Sequence, residues 1–546
     1  MIFRPSFLPG ATRPFASSRN LVATALMVAA GFANESIQAA AAQPDPLPNP
    51  FVAPAAAAPM TDLDRTVFSR LEKLGIEPAD ICSDAVFVRR AFLDVIGTLP
   101  TAAEVRQFLQ ERRPDKRRAL IDRLLARDEF TEYWTMKWSD LLRVKAEFPI
   151  NLWPNAAQAY HRWIRTAVRD NLPYDEFARS LLTANGSNFR VGPVNFYRAV
   201  QNKDPVGLAR VVGLTFMGVR VEKWPAEQQA ALAVFFSRVG FKATGEWKEE
   251  IVYFDAAKPL PAEARRAPLP DGKVIDLAAD SDSRQVFANW LLAPENPWFA
   301  RAVVNRTWSW LLGRGIVHEP DDFRADNPAV NPELLAYLER ELRAAKYDLK
   351  QLFRLILNSR TYQLSSIARS KHPQAEANFA FYAIRRLDAE VLIDALNQIT
   401  GTTERYSSAI PEPFTFIPED QRSISLPDGS ITSSFLETFG RPARDSGLEA
   451  ERNNRIDANQ RLHLLNSTQV QRKIENGGKL QALLRARTGP REVLDSLFLT
   501  ILSRPPTDDE RAAVQDYARS NAGDMRVAMQ DLAWALINSA EFLHRH

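Results

Sequence analysis

The chain of 546 residues contains a single cysteine, Cys82. One thiol closes no intrachain disulfide, builds no multi-thiolate zinc site and holds no intrachain iron–sulfur cluster. The CxxCH attachment of a c-type haem is excluded with them. Whatever the chain folds into is therefore held by its own apolar core. The material for one is present: 45% of residues are apolar and 25% charged, a globular composition, and the length suits two to four ordinary domains. Glycine is sparse at 22, which favours helices over Gly-punctuated sheets. A formal net charge of +3 gives no sign of a nucleic-acid binder.

Residues 1–42 have the pattern of a secretory signal peptide. Arg4, Arg13 and Arg19 precede an apolar stretch at 21–33, and the small residues Ala39 to Ala42 follow before Gln43 and Pro44. The apolar stretch, about a dozen residues, is short of the roughly 20 that span a bilayer, and no lipid-anchor cysteine follows. The mature chain is expected to be periplasmic or secreted, without a membrane span. Residues 43–60 (QPDPLPNPFVAPAAAAPM) read as an extended Pro/Ala-rich linker.

From Asp62 onward the apolar spacing is that of helices. Leu63, Val67, Leu71 and Leu74 share one face of 62–74, and Leu120, Ile121, Leu124 and Leu125 repeat the pattern in 115–127. The same period recurs at 333–345, 348–358, 384–398, 491–502 and 525–540. Thr101 with Glu104 is a capping box, and Asn331 before Pro332 is a second helix start. An internal echo links 92–104 (FLDVIGTLPTAAE) to 498–510 (FLTILSRPPTDDE); duplication and the common grammar of helical hairpins explain it equally. The expectation is a mainly α, multi-helix, two-domain protein with minor short β elements near 216–222 and 249–254. The first helical domain covers 61–240, an irregular linker with a short strand covers 241–280, and the second helical domain covers 281–546. Residues 401–434, rich in Pro, Ser and Thr, form a long irregular stretch, either functional or mobile.

Chemistry is harder to find. The six histidines (His161, His318, His372, His463, His544 and His546) form no HExxH or i, i+4 pair, and the last two sit at what reads as a frayed end. There is no nucleophile elbow, P-loop or dinucleotide fingerprint. The acidic run 318–328 (HEPDDFRADNP) lacks the central Gly and the twelfth-position Glu of a calcium loop. No metal or cofactor is expected. Trp134 and Trp138 have core spacing, although exposed tryptophans could also stack on sugar rings. The weak catalytic candidates are Asn305, Arg306, Asp321, Asp322 and Glu451. For Arg306 the competing role is structural, a guanidinium forked onto a carboxylate and pinning two helices.

Several motifs carry a resemblance. Residues 90–101 (RAFLDVIGTLPT), 134–145 (WTMKWSDLLRVK), 149–153 (PINLW) and 173–177 (PYDEF) resemble the first of two domains of unknown function, numbered fifteen-forty-nine and fifteen-fifty-three. These occur together in secreted planctomycete and verrucomicrobial proteins. Residues 296–306 (NPWFARAVVNR), 313–317 (GRGIV), 332–335 (PELL), 347–350 (YDLK), 359–362 (SRTY), 464–466 (LLN) and 502–507 (LSRPPT) resemble the second. The resemblance runs from about 62 to 543. It implies association with c-type cytochromes, yet 218–224 (GVRVEKW) and 447–452 (GLEAER), where relatives place cysteines, have none. Three functions follow as expectations. The first is an exported, non-catalytic binding or assembly component that has lost haem attachment and acts with a co-encoded secreted sulfatase-like protein. The second is a hydrolase or accessory enzyme of polysaccharide breakdown, and the third is an electron-transfer component.

Overall fold

The computed structural model describes residues 49–53, 57–455, 457–486, 488–520 and 525–546. The expected leader, 1–42, lies outside the described residues. What is described is mainly α-helical, with short strands in three small sheets. No helix among the described residues is long and apolar enough to cross a membrane.

The helix starts follow from local chemistry. Thr101 Oγ accepts the Glu104 backbone N–H at 3.2 Å while the Glu104 carboxylate accepts the Thr101 N–H at 2.8 Å, so Ala102–Gln110 opens with a complete capping box. Asn331 accepts the Leu334 N–H at the head of Pro332–Ala344. The internal echo holds in the backbone as well. Thr507 and Glu510 make the same pair of bonds at the start of Asp508–Ser520. The aligned turn positions Gly97 and Ser503 both have positive φ, 57° and 62°. The two hairpins meet where Ala102–Gln110 packs on Pro490–Ile501, joining the ends of the chain.

The expected strand near 249–254 is present. Glu250–Phe254 is the centre of a three-stranded antiparallel sheet between Gly186–Ser187 and Val239–Ala243. The β element expected near 216–222 is not. Instead Gly213–Met217 is one π-helical turn, Gly218 reverses the chain at φ +64°, and Val221–Lys223 is a 3-10 turn. The reason is distant in sequence: Arg306 donates to the Leu214 and Thr215 carbonyls, and the widened turn offers both of them. The helical period read from 384 begins only at Ala389, because Arg385–Arg386 forms a strand with His544–Arg545. The C-terminus is correspondingly not frayed. The His546 carbonyl accepts Arg90 Nε at 2.9 Å, and Arg545 is buried.

One contiguous apolar cluster runs from Leu63 to Phe542. Trp134 and Trp138 lie inside it, their rings 5.4 and 5.6 Å from that of Trp310. The tryptophans of the two helical regions thus pack on one another. The long stretch at 401–434 is anchored rather than loose: Asp394 accepts the Ser423 and Ile424 N–H groups, and Asp428 accepts that of Ala146.

Within this core lies a charged lattice. Asp94 accepts the hydroxyls of Tyr362 (2.9 Å) and Tyr382 (2.7 Å), and Arg545 bridges from Asp94 (3.3 Å) to Asp388 (2.8 Å). Asp388 also accepts Tyr133 Oη and Asn454 Nδ2. Removing one partner of such a pair leaves an uncompensated buried charge. Deleting Arg545 and His546 is therefore expected to cost about 3–5 kcal/mol, read as a fall in the urea midpoint. A loss below about 1 kcal/mol, the range of a surface pair, would show that the bridge does not hold the chain ends.

Candidate functional site

The five residues singled out by sequence are all engaged within the fold. Asn305 pairs through its amide with both backbone groups of Val317, at 2.9 Å each. Arg306, fully buried, donates to Asp321 Oδ1 from Nε at 2.9 Å and Nη2 at 2.6 Å, besides the Leu214 and Thr215 carbonyls. The other Asp321 oxygen accepts the Glu449 N–H at 2.6 Å. Asp322 faces Arg324 at 3.1 Å and Lys223 at 3.4 Å. Glu451 accepts the N–H groups of Asp445 and Ser446, closing a loop. Arg306, Asp321 and Glu449 form one chain of contacts. Asn305, Asp322 and Glu451 serve separate turns.

The segment 218–224, where the resemblance points to haem attachment, does not suit a thioether-linked porphyrin. It carries no cysteine, and Val219 and Val221 are buried. Gly218 lies so close to Phe323 that a side chain there would start 2.7 Å from the ring. Cys82 is buried elsewhere, beside Val52.

A different group of residues surrounds open space. A cavity of about 850 Å³ is walled by five parts of the chain, the turn at 318–320 among them. Lys137 comes from the helix Asp128–Leu141, and Ser309, Trp310 and Gly313 from the end of Phe299–Leu312. The strand pair contributes Arg385, Arg386, His544 and Arg545, and the loop from Glu449 to Arg455 covers them. None of the five sequence candidates is among the lining residues. The size is that of a small-molecule site, but the wall is strongly polar. Six cations (Lys137, Arg385, Arg386, Arg452, Arg455 and Arg545) face three carboxylates, Glu319, Asp388 and Glu449.

Most of these charges are paired behind the wall. Arg452 holds Glu390 and Asp140 at 2.6 Å each, Arg385 reaches Asp94 at 3.4 Å, and Lys137 Nζ is 3.1 Å from Asp388. Arg386 is the exception. It is 4% exposed, two of its nitrogens (Nε and Nη1) have no hydrogen-bond partner, and it makes no ion pair among the described residues. Its Nη2 is held by the Phe439 and Asn453 carbonyls. Arg455, exposed on the rim, also makes no ion pair among the described residues. Two of the six cations in the wall, Arg386 and Arg455, thus have no carboxylate within ion-pair distance among the described residues.

Titration at the wall runs in opposite senses. Burial alone would raise the Asp388 carboxyl; Lys137, Arg545 and Arg452 outweigh it and hold it well below its ordinary 3.8. Burial pushes the Glu449 carboxyl above its ordinary 4.5, against the pull of Lys137. Burial also pushes the Lys137 ammonium down, with Asp388 opposing. Shifted groups of this kind gather at functional sites and in structural ion-pair networks alike. They are missing from the sequence candidates because no local motif announces them. The available signal was a charge embedded in an apolar run, as with Lys137 in 134–142 (WTMKWSDLL) and Asp94 in 92–96 (FLDVI).

These shifts set the pH dependence of stability. The Asp388 contribution is present above pH 3.8 and is lost as pH falls through its depressed native value. Asp388→Asn is therefore expected to cost about 3–5 kcal/mol at pH 7, with the gap to wild type narrowing below pH 3.8. The Glu449 contribution is present below pH 4.5 and is lost as pH rises through its elevated native value, so Glu449→Gln gains on wild type as pH rises above 4.5. Urea midpoints measured from below pH 3.8 to well above pH 4.5 check both; profiles parallel to wild type would contradict the assignment.

Comparison with known families agrees with the motifs. Residues 62–223 match the family model described as PSCyt2, protein of unknown function (DUF1549). Residues 283–518 match PSD1, protein of unknown function (DUF1553). No curated protein and no solved structure matches the chain. The matched regions follow one another in the expected order and together cover well over half of the sequence, so the chain belongs to the family that pairs these two domains of unknown function.

Proposed function

We propose that this protein is an exported, non-catalytic binding or assembly component whose central cavity receives an anionic group of its ligand. The observation that carries this reading is the cationic excess of the cavity wall, above all Arg386, buried with two unpartnered nitrogens and no ion pair among the described residues. A guanidinium in that state is stabilised by an anion that supplies the missing acceptors. The leader-like residues 1–42 support export. The partner we propose is a secreted sulfatase-like protein encoded alongside.

Calorimetric titration of the mature protein with sulfate, phosphate and malonate tests the cavity. At least one is expected to bind, and Arg455→Gln, on the rim, is expected to weaken it about tenfold with an unchanged melting temperature. No binding of any of the three at millimolar concentration would overturn the reading. A hydrolytic reading has one observation in its favour, the opposed shifts of Lys137 and Glu449 across the same cavity.

The protein is further proposed to carry no covalent haem. Its support is chemical, since CxxCH attachment needs two thiols and a histidine beside the second, and the single Cys82 stands in no such motif. Expression beside a haem-attachment system is expected to give a featureless Soret region. Stoichiometric iron–porphyrin on the purified protein would refute this.

A further inference from the structure

Away from the cavity, three loops bring aromatic side chains to the surface. Trp153 stands at the head of Pro154–Arg169, Trp247 lies in the turn between Val239–Ala243 and Glu250–Phe254, and Phe414 belongs to the stretch 401–434. Their proximity is direct. The Trp153 and Phe414 rings are 5.4 Å apart at 58°, and Lys248 Nζ lies 5.7 Å from the Trp153 ring and 5.2 Å from that of Trp247. Trp247 is 70% exposed and Phe414 48%, and Phe148 and Phe416 in the same loops are exposed too.

Three observations indicate what such a surface meets. First, the large apolar side chains exposed in these loops are all aromatic, whereas exposed aliphatic ones such as Ile367, Ile384 and Leu462 lie elsewhere. Flat aromatic rings offer apolar planes on which the C–H face of a pyranose can stack. Secondly, Lys248, exposed and without an ion pair among the described residues, sits between the two indoles and adds a positive charge where a sugar substituent would fall.

Thirdly, the geometry is held at a cost. Trp153 has φ +71° and ψ 148°, a conformation that suits glycine, and Lys248 has φ +64°. Neighbouring bonds fix both. The Trp153 N–H donates to the Ala146 carbonyl at 3.1 Å, Asn188 Nδ2 donates to the Lys248 carbonyl at 3.1 Å, and Glu147 Oε1 accepts the Ala409 N–H at 3.0 Å. The strained backbone presents a partly exposed indole at the surface.

We propose that Trp153, Trp247 and Phe414, with Lys248, form a binding platform for an anionic polysaccharide. Sugar rings stack on the aromatic planes, and a carboxylate or sulfate ester of the glycan meets the Lys248 ammonium. This surface shares no residue with the cavity, and the proposal does not depend on it.

The mature chain titrated with polygalacturonate, λ-carrageenan and uncharged dextran, followed by tryptophan fluorescence and calorimetry, tests the assignment. At least one of the two anionic polymers is expected to bind more tightly than dextran; polygalacturonate assigns a carboxylate partner and carrageenan a sulfate ester. Trp247→Ala and Phe414→Ala are each expected to weaken binding about tenfold, and Lys248→Gln to abolish the preference over dextran. Melting temperatures should stay unchanged, because the truncated groups are exposed or half-exposed. Binding of neither anionic polymer, or binding that Trp247→Ala leaves intact, would overturn the proposal. So would self-association of wild type that Trp247→Ala abolishes, which would make the patch a contact between copies of the chain.

Discussion

Arg545, the penultimate residue, occupies the gap between Asp94 and Asp388, and much of the molecule is arranged around that bridge. Asp94 belongs to the first region matched by a family model and Asp388 to the second, while Arg545 lies beyond both. The guanidinium can stay charged there because each carboxylate is itself satisfied. Tyr362 and Tyr382 donate to Asp94; Tyr133, Asn454 and Lys137 attend Asp388. Burying such charges is costly when any partner is missing. The lattice therefore acts as a lock: three distant parts of the chain must arrive together for any one of them to be tolerated.

The same logic accounts for the family motifs. Arg90 and Asp94 of 90–101, Asp140 of 134–145, Arg306 of 296–306 and Tyr362 of 359–362 all meet partners far away in sequence. Arg90 takes the Tyr362 and Leu364 carbonyls, and Asp140 faces both Arg444 and Arg452. Polar residues that a sequence reader would nominate for catalysis are here engaged in cross-chain packing. Arg306 is the plainest case. Its fork onto Asp321 and its grip on the Leu214 and Thr215 carbonyls join the π-helical turn to the helix Phe299–Leu312 and, through the Asp321 contact with the Glu449 N–H, to the cavity loop.

Local grammar was legible in the sequence, and its consequences in space were not. Capping boxes at Thr101 and Thr507, the Asn331 cap, the helical faces and the strand at 249–254 are set by neighbours within four or five residues, so periodicity and spacing reveal them. The failures all concern partners 91 to 456 positions away. The π-helical turn at Gly213–Met217 depends on Arg306, and the strand Arg385–Arg386 depends on His544–Arg545. The C-terminus looks frayed until Arg90 is seen holding its last carbonyl. The cavity was hidden for the same reason, because its lining comes from separate segments scattered between Lys137 and Arg545 with no shared motif. The structural reading of Arg306 was open in sequence because an Arg inside an apolar helix needs a carboxylate, and Asp321 lay nearby.

A core of charges has one effect that an apolar core of equal volume lacks. Apolar packing is non-directional and leaves irregular segments free to slide, whereas a carboxylate that accepts backbone N–H groups fixes a loop in position and orientation. This chain uses that device repeatedly on its longest irregular stretch, through Asp394 to Ser423 and Ile424, Asp428 to Ala146, and Glu147 to Ala409. Those anchors hold the loop that brings Phe414 against Trp153, and Glu451 performs the same service for the segment that roofs the cavity. With a single thiol, the protein has no covalent way to stiffen these loops. Directional bonds to buried acids take that role, and they tie both proposed binding surfaces to the lattice that closes the fold.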